Sequence, residues 1–143
     1  MNFKATIVDA INDALKEQKI GIYALSNKTG ITAVNLYRVV KGENFSMLTL
    51  SKIIRVLNLK FTLTTEDDIY LELNKEHLIT TYKIAKIAFD ACKAKHNITA
   101  KDIARRADIS VLTLSKLLNY KNVTIDVMDR LLYAMGVETT NAR

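Results

Sequence analysis

The sequence predicts a mainly α-helical protein made of two tandem copies of one small helical unit, with a short β-hairpin between them. Three observations carry this. Apolar residues recur at helical spacing over most of the chain, as in Ile7, Val8, Ile11 and Leu15. Proline is absent and only 4 glycines occur in 143 residues, which favours helices joined by short turns. The chain also matches itself, without a gap from about Thr6 to Leu59, when shifted by 78 positions. Ile20 then falls on Ile98, Leu25 on Ile103, Ile31 on Ile109, Leu36 on Leu114, Asn44 on Asn122, Leu50 on Met128, Ile53 on Leu131 and Leu57 on Met135. Strict identity is low, but apolar character stays in phase through several helices and their turns, the mark of a duplicated unit.

In the first copy, a helix is expected from Phe3 to about Gln18 and a short one from Ile22 to Lys28, with Leu25 as its core contact. Gly30 tolerates a left-handed backbone and ends the short helix. Ile31 packs inward, and Thr32 is suited to cap the next helix because its hydroxyl accepts from a free N–H one turn on. That helix runs from about Ala33 to Val40, burying Leu36 and one of Val39 and Val40, and Gly42 provides its exit. Met47, Leu50, Ile53, Ile54 and Leu57 then belong to one or two closing helices.

The segment Lys60–Leu73 alternates apolar and polar residues on either side of Glu66, Asp67 and Asp68, a strand–turn–strand pattern. A lone two-stranded hairpin is marginal in water, so it is expected to pack on a helical lobe or, preferably, to pair edge to edge with a second copy in a homodimer. The second copy opens with a long helix capped by Asn74, with Leu78, Ala85, Phe89 and Cys92 on one stripe. Helices at about Ala100–Ala107 and Val111–Asn119 follow, the latter capped by Ser110. Val127, Met128, Leu131, Leu132 and Met135 form the last helix, which Gly136 ends. The domain boundaries read from this are 1–60, 61–74 and 75–143.

Charge follows the same division. Residues 1–60 carry nine Lys/Arg and four acids, residues 61–74 carry four acids and no base, and residues 75–143 carry twelve bases and seven acids. Two basic lobes flank an acidic connector, and the net charge of +6 suits a polyanionic partner. The acidic connector is expected to face away from that partner or toward a basic one. No apolar run approaches the ~18 residues of a membrane span, and acids interrupt the N-terminal apolar pattern, so a cytoplasmic location without membrane contact is expected. A single cysteine, Cys92, excludes an intramolecular disulfide and reads as a small core residue. His77 and His96 sit near opposite ends of one helix and complete no metal-binding spacing. Phosphate-loop and nucleophile motifs are absent, and Asp67–Asp68 falls in a turn, so no enzyme activity, metal or cofactor is expected.

A short helix, a tight turn and a capped second helix make a helix-turn-helix, whose second helix stands away from the first and can enter a DNA major groove. The residues Leu25, Ser26, Gly30, Ile31, Thr32, Leu36, Arg38, Gly42, Leu50, Ile53 and Leu57 resemble the Cro/repressor-type (XRE) family, and so do Ile103, Ala104, Ile109, Ser110, Leu114, Lys116, Met128, Leu131 and Met135. The resemblance implies two tandem lambda-repressor-like domains that bind double-stranded DNA as a sequence-specific, repressor-like transcriptional regulator. Compact tandem proteins of this family often occur in phages and other mobile elements. By position, the resemblance puts Thr32, Ala33, Val34, Asn35 and Arg38 at the DNA in the first copy, with Lys41 and Asn44 on phosphates. In the second it puts Ser110, Val111, Leu112, Thr113 and Lys116 there, with Asn119, Lys121 and Asn122 on phosphates. This sequence departs from the family in three respects. The heads of the second motif helices are apolar, Ile22 and Ala100 begin the helices before them where the family usually has polar residues, and Asp108 and Tyr120 stand where glycines close the first copy's turns. Two other roles stay open to such a surface: capture of a protein partner, as an antitoxin-like or antagonist module, and architectural DNA binding with little sequence preference.

Overall fold

The computed structural model describes residues 2–73 and 77–141. Four helices come first: α1 (Phe3–Glu17), α2 (Ile22–Thr29), α3 (Ala33–Val40) and α4 (Met47–Leu57). The hairpin strands β1 (Phe61–Thr64) and β2 (Tyr70–Leu73) follow, then α5 (His77–His96), α6 (Ala100–Ala107), α7 (Val111–Leu118), α8 (Ile125–Ala134) and a third strand, β3 (Glu138–Asn141). The residues expected to close the first copy form one helix, α4. The expected cap Asn74 lies outside the described residues.

α1 and α2 start without a side-chain cap, but other helices start where a side-chain oxygen satisfies one of their first N–H groups. Thr32, Ser46, Ser110 and Thr124 each accept a bond from the N–H three residues on. The four caps are two pairs 78 residues apart, so the duplication extends to helix starts as well as to the core. Each amphipathic helix turns its apolar stripe inward: Ile7, Ala10 and Ile11 from α1, Leu50, Ile53, Ile54 and Leu57 from α4, and Met128, Leu131 and Leu132 from α8 are all buried. These residues belong to one continuous core that also takes in Phe61 and Leu63 of β1, and Ile84, Ala85, Phe89 and Cys92 of α5.

β1 pairs with β2 in antiparallel fashion, Leu63 opposite Leu71. Its other edge pairs with β3, giving the strand order β2-β1-β3. Residues 138–141 of the same chain thus occupy the edge of β1 that the hairpin alone would leave open, and β2 and β3 become the edge strands of the sheet. The reason is the marginal stability of a lone hairpin: a third strand, with α1 packed on β3 and α5 on β2, gives the sheet the burial it needs. The acidic turn faces a basic partner in its own chain. Lys95 Nζ lies 3.6 Å from Glu66 Oε2 and 3.5 Å from Asp67 Oδ1, and His96 Nε2 lies 3.4 Å from Glu66 Oε2.

The two copies meet about a pseudo-two-fold axis. Thr62 pairs with Thr140, its own equivalent at the 78-residue shift, while Phe61 pairs with Asn141 and Leu63 with Thr139. Ser46 forms an antiparallel bridge with Thr124, again its own equivalent. On either side of that bridge Met47 N–H donates to the Val123 carbonyl at 2.8 Å, and Ile125 N–H donates to the Phe45 carbonyl at 2.7 Å. The Asn122 Oδ1 accepts from Leu48 N–H at 3.1 Å, and the Asn44 Oδ1 accepts from Asp126 N–H at 3.2 Å. Each bond in these pairs is the other with the copies exchanged, the relation a two-fold operation imposes on an isologous interface. Between the two self-paired points runs α4, whose 11 residues span about 16 Å. The sheet therefore sits at one end of the axis and the asparagine exchange at the other.

Away from the axis the two sides differ chemically. On one, Lys4 Nζ reaches Asp126 Oδ1 at 2.7 Å, and Lys4 N–H donates to Asp129 Oδ1 at 3.2 Å in the first turn of α1, where a carboxylate also faces the positive end of the helix dipole. On the other, the position equivalent to Lys4 is Tyr82 and that equivalent to Asp126 is Leu48. The Tyr82 hydroxyl donates to the Lys121 carbonyl at 2.7 Å and accepts from Val123 N–H at 3.2 Å. Burial raises the Tyr82 phenol above its ordinary value, against a smaller lowering by the Val123 bond, so the hydroxyl keeps its proton at neutral pH as the first bond requires. Because that hydroxyl serves two backbone groups, Tyr82→Phe is expected to lower stability by about 1–3 kcal/mol, read as a fall in the thermal denaturation midpoint.

Candidate nucleic-acid interface

The turn between α2 and α3 is built from hydroxyls around one left-handed residue. Gly30 has φ +76° and its N–H donates to the Ser26 carbonyl at 2.8 Å. The Ser26 hydroxyl donates to the Ile31 carbonyl at 2.6 Å, and the Thr29 hydroxyl donates to the Leu25 carbonyl while accepting from Ile31 N–H at 3.2 Å. Leu25, Ile31, Leu36 and Val39 anchor the pair of helices in the core. Val40 is only half-buried, which decides between the two valines.

The second copy reaches the same shape by other means. Ala104 and Ala107 stand where Ser26 and Thr29 do, so those two hydroxyl bonds have no counterpart. Instead Thr99 and Asp102 form a reciprocal capping box at the start of α6. Hydrogen bonds from the Thr99 backbone and hydroxyl hold the Asp102 carboxyl below its ordinary range, with Arg105 and Arg106 adding to the effect. A carboxylate lowered in this way contributes stability above its unfolded value and loses it as pH falls through the folded one, so the box is intact at neutral pH. Asp108 takes the left-handed position at φ +55°, and its carbonyl accepts from Arg130 Nη1 at 3.4 Å. Tyr120, at the exit glycine's place, is also left-handed at φ +59°, and its ring lies 5.9 Å from that of Tyr82.

With one face anchored, α3 and α7 present the other. On α3, Val34 is 63% exposed, and Asn35, Tyr37 and Arg38 are exposed beside it, while Ala33 is half-buried. On α7, Val111 is 51% and Leu112 is 68% exposed, Lys116 is exposed, and Thr113 is half-buried. Thr32 and Ser110 are exposed but serve as caps, receiving Asn35 N–H and Thr113 N–H. Lys41 and Lys121 are exposed just beyond each helix. Sequence reasoning missed Tyr37. It lies three residues after Val34 and four before Lys41, on one helix face, and that spacing was the available signal.

The structure places three of the expected phosphate contacts in other bonds. The Asn44 and Asn122 oxygens are engaged across the axis, leaving their N–H groups as what each can offer an anion. Asn119 Nδ2 donates to the Ser115 carbonyl at 2.7 Å, closing the last turn of α7. Among the described residues no group of three or more acids, histidines or cysteines is placed to hold a metal ion, and no helix is long and apolar enough to cross a membrane.

The sequence profile of the Cro/C1-type HTH DNA-binding domain matches this chain twice, over residues 10–62 and 92–139. The chain belongs to that family. Its two matches fall on the two copies found by self-comparison, and each contains the complete helix-turn-helix. The Cro/C1-type domains make the protein a DNA-binding regulator. No curated protein and no solved structure matches the chain.

A Cβ at Gly30 would meet no atom within 4 Å, so only the backbone resists a side chain there. Gly30→Ala is expected to cost about 1–2 kcal/mol from left-handed strain, and Gly30→Asn less, both measured by thermal denaturation.

Proposed function

We propose that this protein is a sequence-specific, repressor-like regulator that binds double-stranded DNA as a single-chain pseudo-dimer. α3 and α7 enter successive major-groove segments on one side of the duplex. The observation that carries this is the reciprocal exchange about Ser46 and Thr124, which gives one chain the two-fold arrangement that a pair of half-sites demands. α3 ends at Val40, six residues before Ser46 on the axis, a distance the chain covers in at most about 20 Å. With about 5 Å across the bridge itself, the C-terminal ends of α3 and α7 thus lie no more than about 45 Å apart, which accommodates the ~34 Å of one helical turn.

In this reading Val34 and Leu112 contact thymine methyl groups, Asn35 and Arg38 reach base edges, and Thr113 and Lys116 occupy the same places in the second half-site. Lys41 and Lys121 lie against phosphates, which set register without reading sequence. The acidic turn, paired with Lys95 and His96 at the sheet end of the axis, stays clear of the duplex. One chain supplies both reading helices, so the complex forms at one chain per operator and a homodimer is not required. Occupying the operator would exclude other proteins from it, which is the repressor-like part of the proposal.

The exposed apolar heads of α3 and α7 favour a second reading, capture of a protein partner. Gel shift combined with random-duplex selection separates the alternatives. An enriched motif supports the regulator, retardation without enrichment supports an architectural binder, and no retardation supports protein capture. On selected DNA, Arg38→Ala is expected to weaken binding by about 1–3 kcal/mol with an unchanged melting temperature. Lys41→Ala is expected to weaken binding to all sequences alike and to reduce the salt slope by about 1.

A further inference from the structure

The two-fold relation holds in the backbone pairing across the axis but not in the chemistry of the two reading helices. Val34 and Leu112 are equivalents and both offer an exposed apolar side chain. One residue further on, Asn35 is exposed while Thr113 is half-buried, with its hydroxyl accepting from the Ser110 hydroxyl at 2.8 Å. One turn later Arg38 stands opposite Lys116, both exposed. An asparagine amide can bond adenine at two atoms and an arginine fork can bond guanine at two. A lysine ammonium is a point charge, and a threonine hydroxyl that accepts from its neighbour keeps one donor, enough for a single bond to a base edge but not for a bidentate one. Copy one therefore carries a stringent reader and copy two a tolerant one whose remaining preference is for thymine methyl groups.

We infer that the operator is a non-palindromic duplex, bound in one orientation, with Asn35 and Arg38 of the first copy on a stringent half-site holding adenine and guanine and Leu112 of the second on a tolerant, thymine-biased half-site. This rests on the DNA-binding reading above and names the class of DNA it takes. The orientation is built in, because both readers belong to one chain and the junction fixes which side of the axis each occupies. A symmetric protein dimer has no such preference, since exchanging its subunits leaves the complex unchanged.

Random-duplex selection with the full chain is expected to return a motif whose halves differ, one requiring guanine and adenine and the other permissive. Asn35→Thr combined with Arg38→Lys gives copy one the chemistry of copy two. It is expected to relax the stringent half alone, with the original site bound roughly 5- to 150-fold more weakly per lost bidentate contact. Thr113→Asn combined with Lys116→Arg is the reciprocal change and is expected to make the permissive half stringent, so the selected motif becomes nearly palindromic. Asn35, Arg38 and Lys116 are exposed and Thr113 is half-buried, and thermal denaturation of each variant shows that it is folded. A palindromic motif for the unaltered protein, or changes spread over both halves in either variant, would overturn the inference while leaving DNA binding in place. Absence of any retarded complex would overturn the DNA-binding reading and this inference with it.

Discussion

Two self-paired contacts, Ser46 with Thr124 and Thr62 with Thr140, govern how everything else in this protein is arranged. Each is an antiparallel pairing between a residue and its own duplicate, and together they define an axis. Backbone groups make these bonds, so they depend less on side-chain identity than on the loops and strands reaching the axis in extended form. Asn44 and Asn122 strengthen the crossing by capping the helix of the opposite copy, which supplies one of the free N–H groups that every helix start leaves. The sheet closes the other end, with Phe61 and Leu63 fully buried beneath it. Such side chains contribute about 1.5–3 kcal/mol each on burial, so the copies are held by packing as well as by hydrogen bonds.

This junction explains why the reading helices are free to face outward. α3 and α7 fully bury Leu36, Val39, Leu114 and Leu117 in the core, with Val40 and Leu118 packed partly against it. Their stability comes from α1, α4, α5 and α8, whose apolar stripes form the continuous interior. Eight residues make barely two turns, and so short a helix would not persist in water unaided. Caps at Thr32 and Ser110 and the left-handed exits at Gly42 and Tyr120 hold both ends instead. The exposed faces are thereby rigid in position without being consumed in packing.

Duplication has also allowed the two halves to diverge. Around the axis an ion pair between Lys4 and Asp126 on one side corresponds to Tyr82 and Leu48 on the other. In a pairing of two first copies Lys4 would meet a leucine, and in a pairing of two second copies Tyr82 would meet an aspartate. Each mismatch removes a partner from a partly buried polar group, so the junction favours the pairing found within one chain.

Much of this was legible locally. The helix periods, the Thr32 and Ser110 caps, the left-handed turns at Gly30 and Asp108 and the hairpin pattern at 61–73 each depend on residues within a few positions of one another. The duplication itself appeared as apolar positions held in phase. What the tertiary structure alone decided involves partners 78 or so residues apart. β3 is the polar run Glu138–Asn141, which carries no alternation to mark a strand, and it becomes one because the edge of β1 lies beside it. Asn44 and Asn122 look like anion contacts until the opposite helix start arrives to take their oxygens. The sequence by itself determined two copies of a helix-turn-helix; their mutual placement arose only when the chain closed on itself, because a hydrogen bond between equivalent residues leaves no pattern in either one's neighbourhood.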